Sequence, residues 1–284
     1  MDESAQTPRL RKRIMTWLII LLSLYGVYCG LLFFFQTKLI FPAGMAGRPG
    51  QTLPTLDTEV IELATDEGTT AAWFSPASGS GADRPAPLVV FFHGNAELID
   101  HQFGIIDLYH RLGVSVLMIE YRGYGHSDGT PSQKHIVADS LAVMEQVLER
   151  DDVDADKLVL HGRSIGGGIA AQVAMQATPA ALIVESTCTS VSGMAVRYGA
   201  PPFLVRSPLK TREALNQLDL PILIMHGQRD EIFPVSHARK LEAAADDATL
   251  ELFDSGHNDL PTSVEMPKYR SAVHELLDRA RILR

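Results

Sequence analysis

Hydrophobic and polar positions are distributed differently at the start of the chain and in the rest of it. No charged residue interrupts the segment from Ile14 to Phe35. At about 1.5 Å per residue, a helix of this length crosses the hydrocarbon core of a bilayer, which is about 30 Å thick. The pattern therefore predicts a transmembrane helix over residues 14–35, after a basic tail at residues 1–13 and before a Gly- and Pro-rich linker at residues 36–57.

From residue 58 onward, short apolar runs alternate with amphipathic segments. Alternating residues at 58–64 and 70–74 flank the turn signal Asp66-Glu67-Gly68 and predict an antiparallel hairpin. Further strands are predicted at residues 88–92, 114–119, 158–160, 181–184, 221–227 and 249–253. Helices are predicted after residue 164 and at residues 98–112, 132–150, 236–245 and 266–282. This alternation predicts an α/β fold in which a mostly parallel eight-stranded sheet carries helices on both faces.

The alternation also sets the domain boundaries. Residues 58–284 are expected to form one catalytic domain, in which residues 186–220 break the pattern and form a short cap. The net charge of -9 argues against a surface for nucleic acid, so no such partner is expected. Two cysteines, Cys29 and Cys188, are too few for a disulfide framework.

Basic residues on the two sides of the apolar segment predict its orientation. The basic residues between positions 9 and 13 outnumber Lys38 and Arg48 after the segment. Because the more positive flank of a membrane helix usually stays in the cytoplasm, the N-terminus is predicted to be cytoplasmic. The catalytic domain would then lie outside the cytoplasm, in the periplasm if the source is bacterial. A cleaved signal peptide is the alternative, but no small-residue cleavage site closes the run, because Phe33-Phe34-Phe35 ends it. A single-pass anchor in a lipid bilayer is therefore favoured.

The residues around Ser164 have the pattern of a nucleophile elbow. The predicted strand ends at His161-Gly162-Arg163, and Ser164-Ile165-Gly166 leads into a helix, which gives Gly-x-Ser-x-Gly at a sharp turn. Such a turn lifts the hydroxyl clear of the sheet. A second match at Gly125–Gly129 lacks both a preceding strand and a following helix, so Ser127 is predicted to lie in a loop.

A neutral serine needs a base, and the base needs a third group to orient it. His257 follows the last predicted strand, and Asp230 follows the strand before it. Loops at the carboxyl ends of parallel strands meet at one edge, so Ser164, Asp230 and His257 are predicted to form a catalytic triad. Asp254 and Asp259 are alternatives for the acid. Histidines that precede a glycine at a strand end are assigned structural hydrogen bonds: His93, His161 and His226.

Two N–H donors should stabilise the oxyanion of an acyl-transfer intermediate. The N–H of Ile165 is the first, and the N–H of Asn95 is preferred as the second, with Ala96 as the alternative. The chain carries no zinc-ligand spacing, phosphate loop or dinucleotide fingerprint, so no metal and no cofactor are expected.

Several motifs together resemble one family. They are His93-Gly94-Asn95, Tyr124-Gly125-x-Ser127, Gly162-Arg163-Ser164-Ile165-Gly166-Gly167, His226-Gly227-x-x-Asp230 and Gly256-His257-Asn258-Asp259. The chain resembles the α/β-hydrolase superfamily over about residues 35–277. More narrowly, it is similar to membrane-anchored α/β-hydrolase-domain serine hydrolases, whose best-known relatives remove palmitoyl groups from proteins. The resemblance implies a triad at Ser164, Asp230 and His257, but it does not identify a substrate.

The favoured function is hydrolysis of a carboxylic ester or thioester through an acyl-enzyme on Ser164. Because of the anchor, lipid or acylated-protein substrates are favoured over soluble esters. Four residues of the cap are predicted to line an acyl-chain channel: Met194, Tyr198, Phe203 and Leu204. The alternative is that they only cover the sheet. Two further hypotheses are a serine peptidase of the same fold and a non-catalytic membrane-associated binding protein.

Overall fold

A computed structural model describes residues 7–50, 53, 55 and 57–283. The start of the predicted basic tail and parts of the predicted linker lie outside these residues. The first element, α1, spans Thr7–Ile40. It contains the whole predicted membrane segment and continues through the first residues of the predicted linker. Residues 36–40 contain no glycine or proline, so nothing stops the helix before Pro42.

Eight strands form one sheet in the described part of the chain. They are β1 (Glu59–Thr65), β2 (Gly68–Ser75), β3 (Ala86–Phe92), β4 (Ser115–Ile119), β5 (Val153–Arg163), β6 (Ala181–Glu185), β7 (Ile222–Gly227) and β8 (Ala248–Phe253). Their order in the sheet is β1-β2-β4-β3-β5-β6-β7-β8. β2 pairs antiparallel with β1 and with β4, whereas the remaining neighbours are parallel. The predicted fold class is confirmed.

The helices after α1 differ from the predicted ones mainly at their ends. They are α2 (Phe103–His110), α3 (Gln133–Leu148), α4 (Ile165–Ala174), α5 (Val191–Arg197), α6 (Thr211–Leu215), α7 (Ser236–Glu242) and α8 (Met266–Arg279). A separate 3-10 turn at Ile99–His101 precedes α2, so that helix is shorter than predicted. The cap segment is less irregular than expected, since it contains α5, α6 and a 3-10 turn at Pro202–Leu204.

Strand β3 shows how the sheet is held between two apolar layers. All of its residues are buried. Val90 and Phe92 pack with the layer that includes α3 and α4, and Val89 and Phe91 pack with the layer that includes α2 and α8. Successive side chains of a strand point to opposite faces, so an uninterrupted apolar run suits a strand covered on both sides. Each buried side chain of this size stabilises the fold by about 1.5–3 kcal/mol.

The parallel part of the sheet also determines where chemistry is possible. Strands β3 to β8 run in the same direction, so their carboxyl ends meet at one edge. The loops that follow β3, β5, β7 and β8 carry Asn95, Ser164, Asp230 and His257, respectively. Residues far apart in the sequence are thereby brought to a common edge.

Candidate active site

Ser164 lies at the junction between β5 and α4, with backbone angles of φ 54° and ψ -119°. A positive φ is rare for a residue with a side chain and stores strain. The turn is held because the N–H of Ser164 donates to the carbonyl of Glu185 at 2.8 Å. A Cβ atom on Gly162 would collide with the backbone of Gly166, and one on Gly166 would collide with the carbonyl of Phe92. Glycine is therefore required at both positions.

Three side chains from different loops form a continuous hydrogen-bonded chain. Oγ of Ser164 lies 2.9 Å from Nε2 of His257, and Nδ1 of His257 lies 2.8 Å from Oδ2 of Asp230. The carboxylate can only accept, so Nδ1 carries the proton and Nε2 is free to accept the serine proton. The side chain of Asp230 is fully buried and that of His257 is 9% exposed. This arrangement can remove a proton from the hydroxyl of Ser164.

The surroundings of Asp230 keep it ionised. Burial opposes the charged form, but the hydrogen bond from His257 and the backbone N–H of Phe233 outweigh it, so the pKa of Asp230 is lowered. Its Oδ1 accepts the N–H groups of Ile232 and Phe233 at 2.9 and 2.7 Å. A second imidazole, that of His226, places Nε2 3.3 Å from Oδ2. An ionised carboxylate in this position can orient the imidazole ring and stabilise positive charge that develops on it when it accepts a proton.

The two alternative acids lie beside His257 but are occupied elsewhere. Asp259 accepts the N–H of Gly256 at 2.6 Å. Asp254 forms an exposed ion pair with Arg229 at 3.3 Å. Ser127, the serine of the second Gly-x-Ser-x-Gly match, lies in a loop, where its Oγ accepts the N–H of Ala71 and donates to the carbonyl of Glu120.

The residues predicted to form the oxyanion hole line the same cavity as Ser164. This cavity has a volume of about 360 Å³, and Asn95, Ala96 and Ile165 are among its lining residues. Ile165 is the first residue of α4, so its N–H has no acceptor within the helix. The loop that carries Asn95 and Ala96 is held by Glu97, which accepts the N–H of Gly94 at 2.8 Å.

Only some of the cap residues predicted to line an acyl-chain channel lie at a cavity in the structure. Met194, Tyr198 and Leu204 line a second cavity of about 830 Å³ that adjoins the first. Phe203 is 83% exposed and lines neither cavity. In the 3-10 turn at Pro202–Leu204, neighbouring side chains point in different directions, so Leu204 faces the cavity while Phe203 faces away.

Similarity to known proteins places the chain in a family. A family model for the alpha/beta hydrolase fold matches residues 87–199. The alpha/beta hydrolase domain-containing protein WAV2 of Arabidopsis thaliana is 32% identical in an alignment 242 residues long that covers 76% of this chain and 77% of that protein. The chain belongs to the α/β-hydrolase superfamily. The resemblance predicted from the sequence motifs is confirmed at that level.

Two further matches agree with this membership. Protein bem46 of Schizosaccharomyces pombe is 32% identical over 220 residues, covering 72% of this chain and 73% of that protein. The solved structure of Thermogutta terrifontis esterase 2 phosphorylated by paraoxon has a TM-score of 0.65 at 17% identity. That match covers 80% of this chain and 96% of the esterase, and it shows a shared fold.

One residue near the site was missed by sequence reasoning, although it stands directly before the serine. Arg163 is the variable residue of the elbow motif, so the motif itself gave no reason to select it. Its guanidinium lies 3.2 Å from Oε1 of Glu97 and 3.3 Å from Oε1 of Glu185, and donates to the carbonyl of Asn258 at 3.3 Å. Arg163 thus joins the loop after β3, the end of β6 and the loop that carries His257.

Glu185 makes this link possible because it is a buried acceptor at the end of β6. Burial opposes its ionisation, but His161, Arg163 and the hydroxyl of Tyr269 outweigh it, so the pKa of Glu185 is lowered. The hydroxyl of Tyr269 donates to its Oε2 at 2.7 Å. A charged carboxylate is therefore fixed beneath the elbow.

The packing at the elbow predicts a large effect for Gly166→Ala. The added methyl group meets the carbonyl oxygens of Phe92 and His93, so α4 must move away from β3. We expect a loss of about 1–3 kcal/mol or more in the free energy of unfolding, measured by urea denaturation. Gly104→Ala in α2 is the matched control, because a methyl group there meets nothing within 4 Å. Equal stability of the two variants would contradict this account of the elbow.

Proposed function

We propose that this protein is a membrane-anchored serine hydrolase that cleaves carboxylic esters or thioesters, with lipid or acylated-protein substrates, through an acyl-enzyme on Ser164. The observation that carries the proposal is the hydrogen-bonded chain from Ser164 through His257 to the buried Asp230. Membership of a hydrolase superfamily with esterase structural neighbours supports the reaction class.

In the first half of the reaction, Oγ of Ser164 attacks the carbonyl carbon while Nε2 of His257 takes the hydroxyl proton. Asp230 stabilises the imidazolium that forms. The N–H of Ile165 and a second N–H, that of Asn95 or Ala96, stabilise the negative oxygen of the tetrahedral intermediate. One such donor contributes about a 10²–10³-fold effect on kcat. His257 then returns the proton to the departing alcohol or thiol, which leaves Ser164 acylated.

Water completes the reaction by the same route in reverse. His257 removes a proton from the water molecule as its oxygen attacks the acyl carbon, and the same two N–H groups stabilise the second intermediate. The bond to Oγ then breaks, His257 gives the proton back to Ser164, and the carboxylic acid is released. Each half of the reaction therefore uses His257 once as a base and once as an acid.

Helix α1 supports the anchor in preference to a cleaved signal peptide. Among the described residues, the stretch Leu10–Ile40 is the one helix that is long and apolar enough to cross a membrane. Its central side chains are exposed to the surroundings, as lipid-facing residues are. The hydroxyls of Tyr25 and Tyr28 donate to the carbonyls of Gly199 and Tyr198 at 2.8 and 2.6 Å. These contacts join α1 to the cap, which argues that the helix stays in the mature protein. We place its N-terminus in the cytoplasm and the catalytic domain outside.

Fluorophosphonate labelling tests the nucleophile. The probe should modify the wild-type protein and spare Ser164→Ala, because the phosphonyl group is transferred to an activated serine; the structural neighbour from Thermogutta terrifontis is itself phosphorylated by paraoxon. Ser127→Ala, at the second Gly-x-Ser-x-Gly match, is the control and should retain the label in its folded fraction. Labelling of Ser164→Ala, or none of the wild type, would refute the proposed role of Ser164.

The choice between ester and amide substrates is tested by comparing p-nitrophenyl esters with aminoacyl anilides in the full-length protein. We expect higher kcat/KM for the esters, because the cavity that adjoins the one containing Ser164 is lined mostly by apolar side chains, which suit an acyl chain. Faster turnover of the anilides would favour a peptidase. Turnover of neither, together with an absence of fluorophosphonate labelling, would favour a binding protein.

Arg163 is proposed as a positioning residue, because it joins the loops that carry the oxyanion donors and His257. Arg163→Met should lower kcat by about 10–100-fold for p-nitrophenyl butyrate, since small displacements of reacting groups cost that much, while KM changes little. The rate is expressed per active site, and active sites are counted by fluorophosphonate labelling. A smaller fraction of folded protein therefore does not change the value of kcat. Arg229→Met is the control, because Arg229 lies at the same edge and its exposed guanidinium pairs with Asp254. An unchanged kcat per labelled site would show that Arg163 serves stability alone.

A further inference from the structure

The larger of the two cavities lies between the cap and helix α1. The catalytic steps proposed above do not involve this cavity. Its volume is about 830 Å³, within the range of pockets that enclose a whole small-molecule ligand. Helix α1 supplies five apolar or aromatic lining residues: Tyr28, Leu32, Phe33, Leu39 and Ile40. One wall of the cavity is therefore built from the predicted membrane anchor.

This cavity continues into the one that contains Ser164. Asn95, Ile165, Cys188, Ile232 and Phe233 line both. Asn95 and Ile165 are the residues whose N–H groups are proposed to hold the oxyanion. A substrate whose carbonyl lies at Ser164 therefore has an apolar route from the reacting atoms to the surface of α1.

The lining residues occupy one face of α1. Positions 28, 32, 36, 39 and 40 all line the cavity, and their spacing of three or four residues places them on one side of a helix. The opposite side points away from the protein, where Val27 is 61%, Leu31 54% and Phe34 77% exposed. The two faces of α1 thus meet different surroundings, the cavity on one side and lipid on the other.

Polar contacts fix how α1 lies against the cap. Gln36 is 8% exposed, and its amide donates to the carbonyl of Leu204 at 3.1 Å and accepts the N–H of Arg206 at 2.7 Å. The guanidinium of Arg206 lies 5.0 Å from the centre of the Phe33 ring. A buried amide loses free energy unless it is hydrogen-bonded, so these bonds favour one register of the helix against the cap.

The length of α1 explains how one helix can be both anchor and wall. Its 34 residues extend over about 51 Å, whereas about 20 residues are enough for the hydrocarbon core. The lining residues Tyr28, Leu32 and Phe33 fall within the predicted membrane segment, while Leu39 and Ile40 lie beyond it. The cavity wall therefore runs from the depth of the lipid to the edge of the catalytic domain.

We propose that α1 forms one wall of the acyl-binding site, so that a long acyl chain lies between α1 and the cap, and that Leu32 helps to select for chain length. The inference rests on the proposed hydrolase function. An acyl chain that moves from lipid into this cavity exchanges one apolar environment for another, so selectivity must come from shape and packing. A short chain ends before it reaches α1, whereas a long chain contacts Leu32.

The test compares Leu32→Trp with Leu31→Trp in the full-length protein in detergent micelles. The two residues are adjacent and identical in type, but Leu32 lines the cavity and Leu31 does not. A tryptophan at position 32 should lower the ratio of kcat/KM for p-nitrophenyl palmitate to that for p-nitrophenyl butyrate by about tenfold, because the larger ring takes space that the long chain needs and a misfit of one methylene in an apolar pocket costs about 10–200-fold. Leu31→Trp should leave the ratio unchanged. An equal ratio in the two variants would overturn the proposal.

A binding measurement separates this proposal from the proposed function. The fluorescent fatty acid cis-parinaric acid is titrated into Ser164→Ala and into the same variant with either tryptophan added, so that turnover plays no part. We expect about a tenfold higher Kd with Leu32→Trp and no change with Leu31→Trp. If binding depends on residue 32 but the wild type hydrolyses no ester, the proposed acyl site is supported and the proposed hydrolase activity is refuted. If the butyrate ester is hydrolysed but a change at residue 32 affects neither palmitate turnover nor binding, the hydrolase activity is supported and the proposed role of α1 in acyl binding is refuted.

Discussion

The backbone at Ser164 is the constraint on which the carboxyl edge of the sheet depends. The residue has a positive φ without being a glycine, and that conformation persists only because the surrounding chain leaves no alternative. Gly162 and Gly166 allow α4 to approach β3 and β5 so closely that the backbones of strand and helix are in contact. This close approach places the serine hydroxyl above the sheet and the first N–H of α4 beside it. The strain is therefore offset by the close packing of α4 on β3 and β5.

A repeated arrangement of histidine and carboxylate supports this edge from below. Strands β3, β5 and β7 each have a histidine followed by a glycine at or next to their carboxyl ends: His93, His161 and His226. Each Nε2 atom lies close to a buried carboxylate, at 2.9 Å from Glu120, 3.5 Å from Glu185 and 3.3 Å from Asp230. Buried charges are tolerated when they are paired and hydrogen-bonded. The proposed catalytic acid is thus one of several carboxylates that the fold keeps beneath the same row of loops.

The sequence predicted the fold and the meeting of Ser164, Asp230 and His257 because these depend on strand order and on local turn chemistry. The sequence was less informative where contacts between distant segments determine the position of a side chain or a helix. The continuation of α1 to Ile40 follows from the lack of a helix-breaking residue, but its packing on the cap depends on Gln36 and Arg206, which carry no motif. Arg163 was missed because its partners lie in three segments that are far apart in the sequence: two loops and the end of β6. Phe203 was expected in the channel on grounds of apolar character, yet the turn around it points the ring outward.

Burial of Cys188 has a consequence for the compartment in which the domain is proposed to work. Its thiol lines both cavities, and burial raises its pKa to about 12. The thiolate is the reactive form in oxidation and disulfide exchange, so burial lowers the reactivity of this sulfur at neutral pH. An unpaired cysteine in an oxidising environment usually invites cross-linking between molecules. Here the sulfur packs as a small apolar group in the wall between the two cavities, where burial opposes such cross-linking.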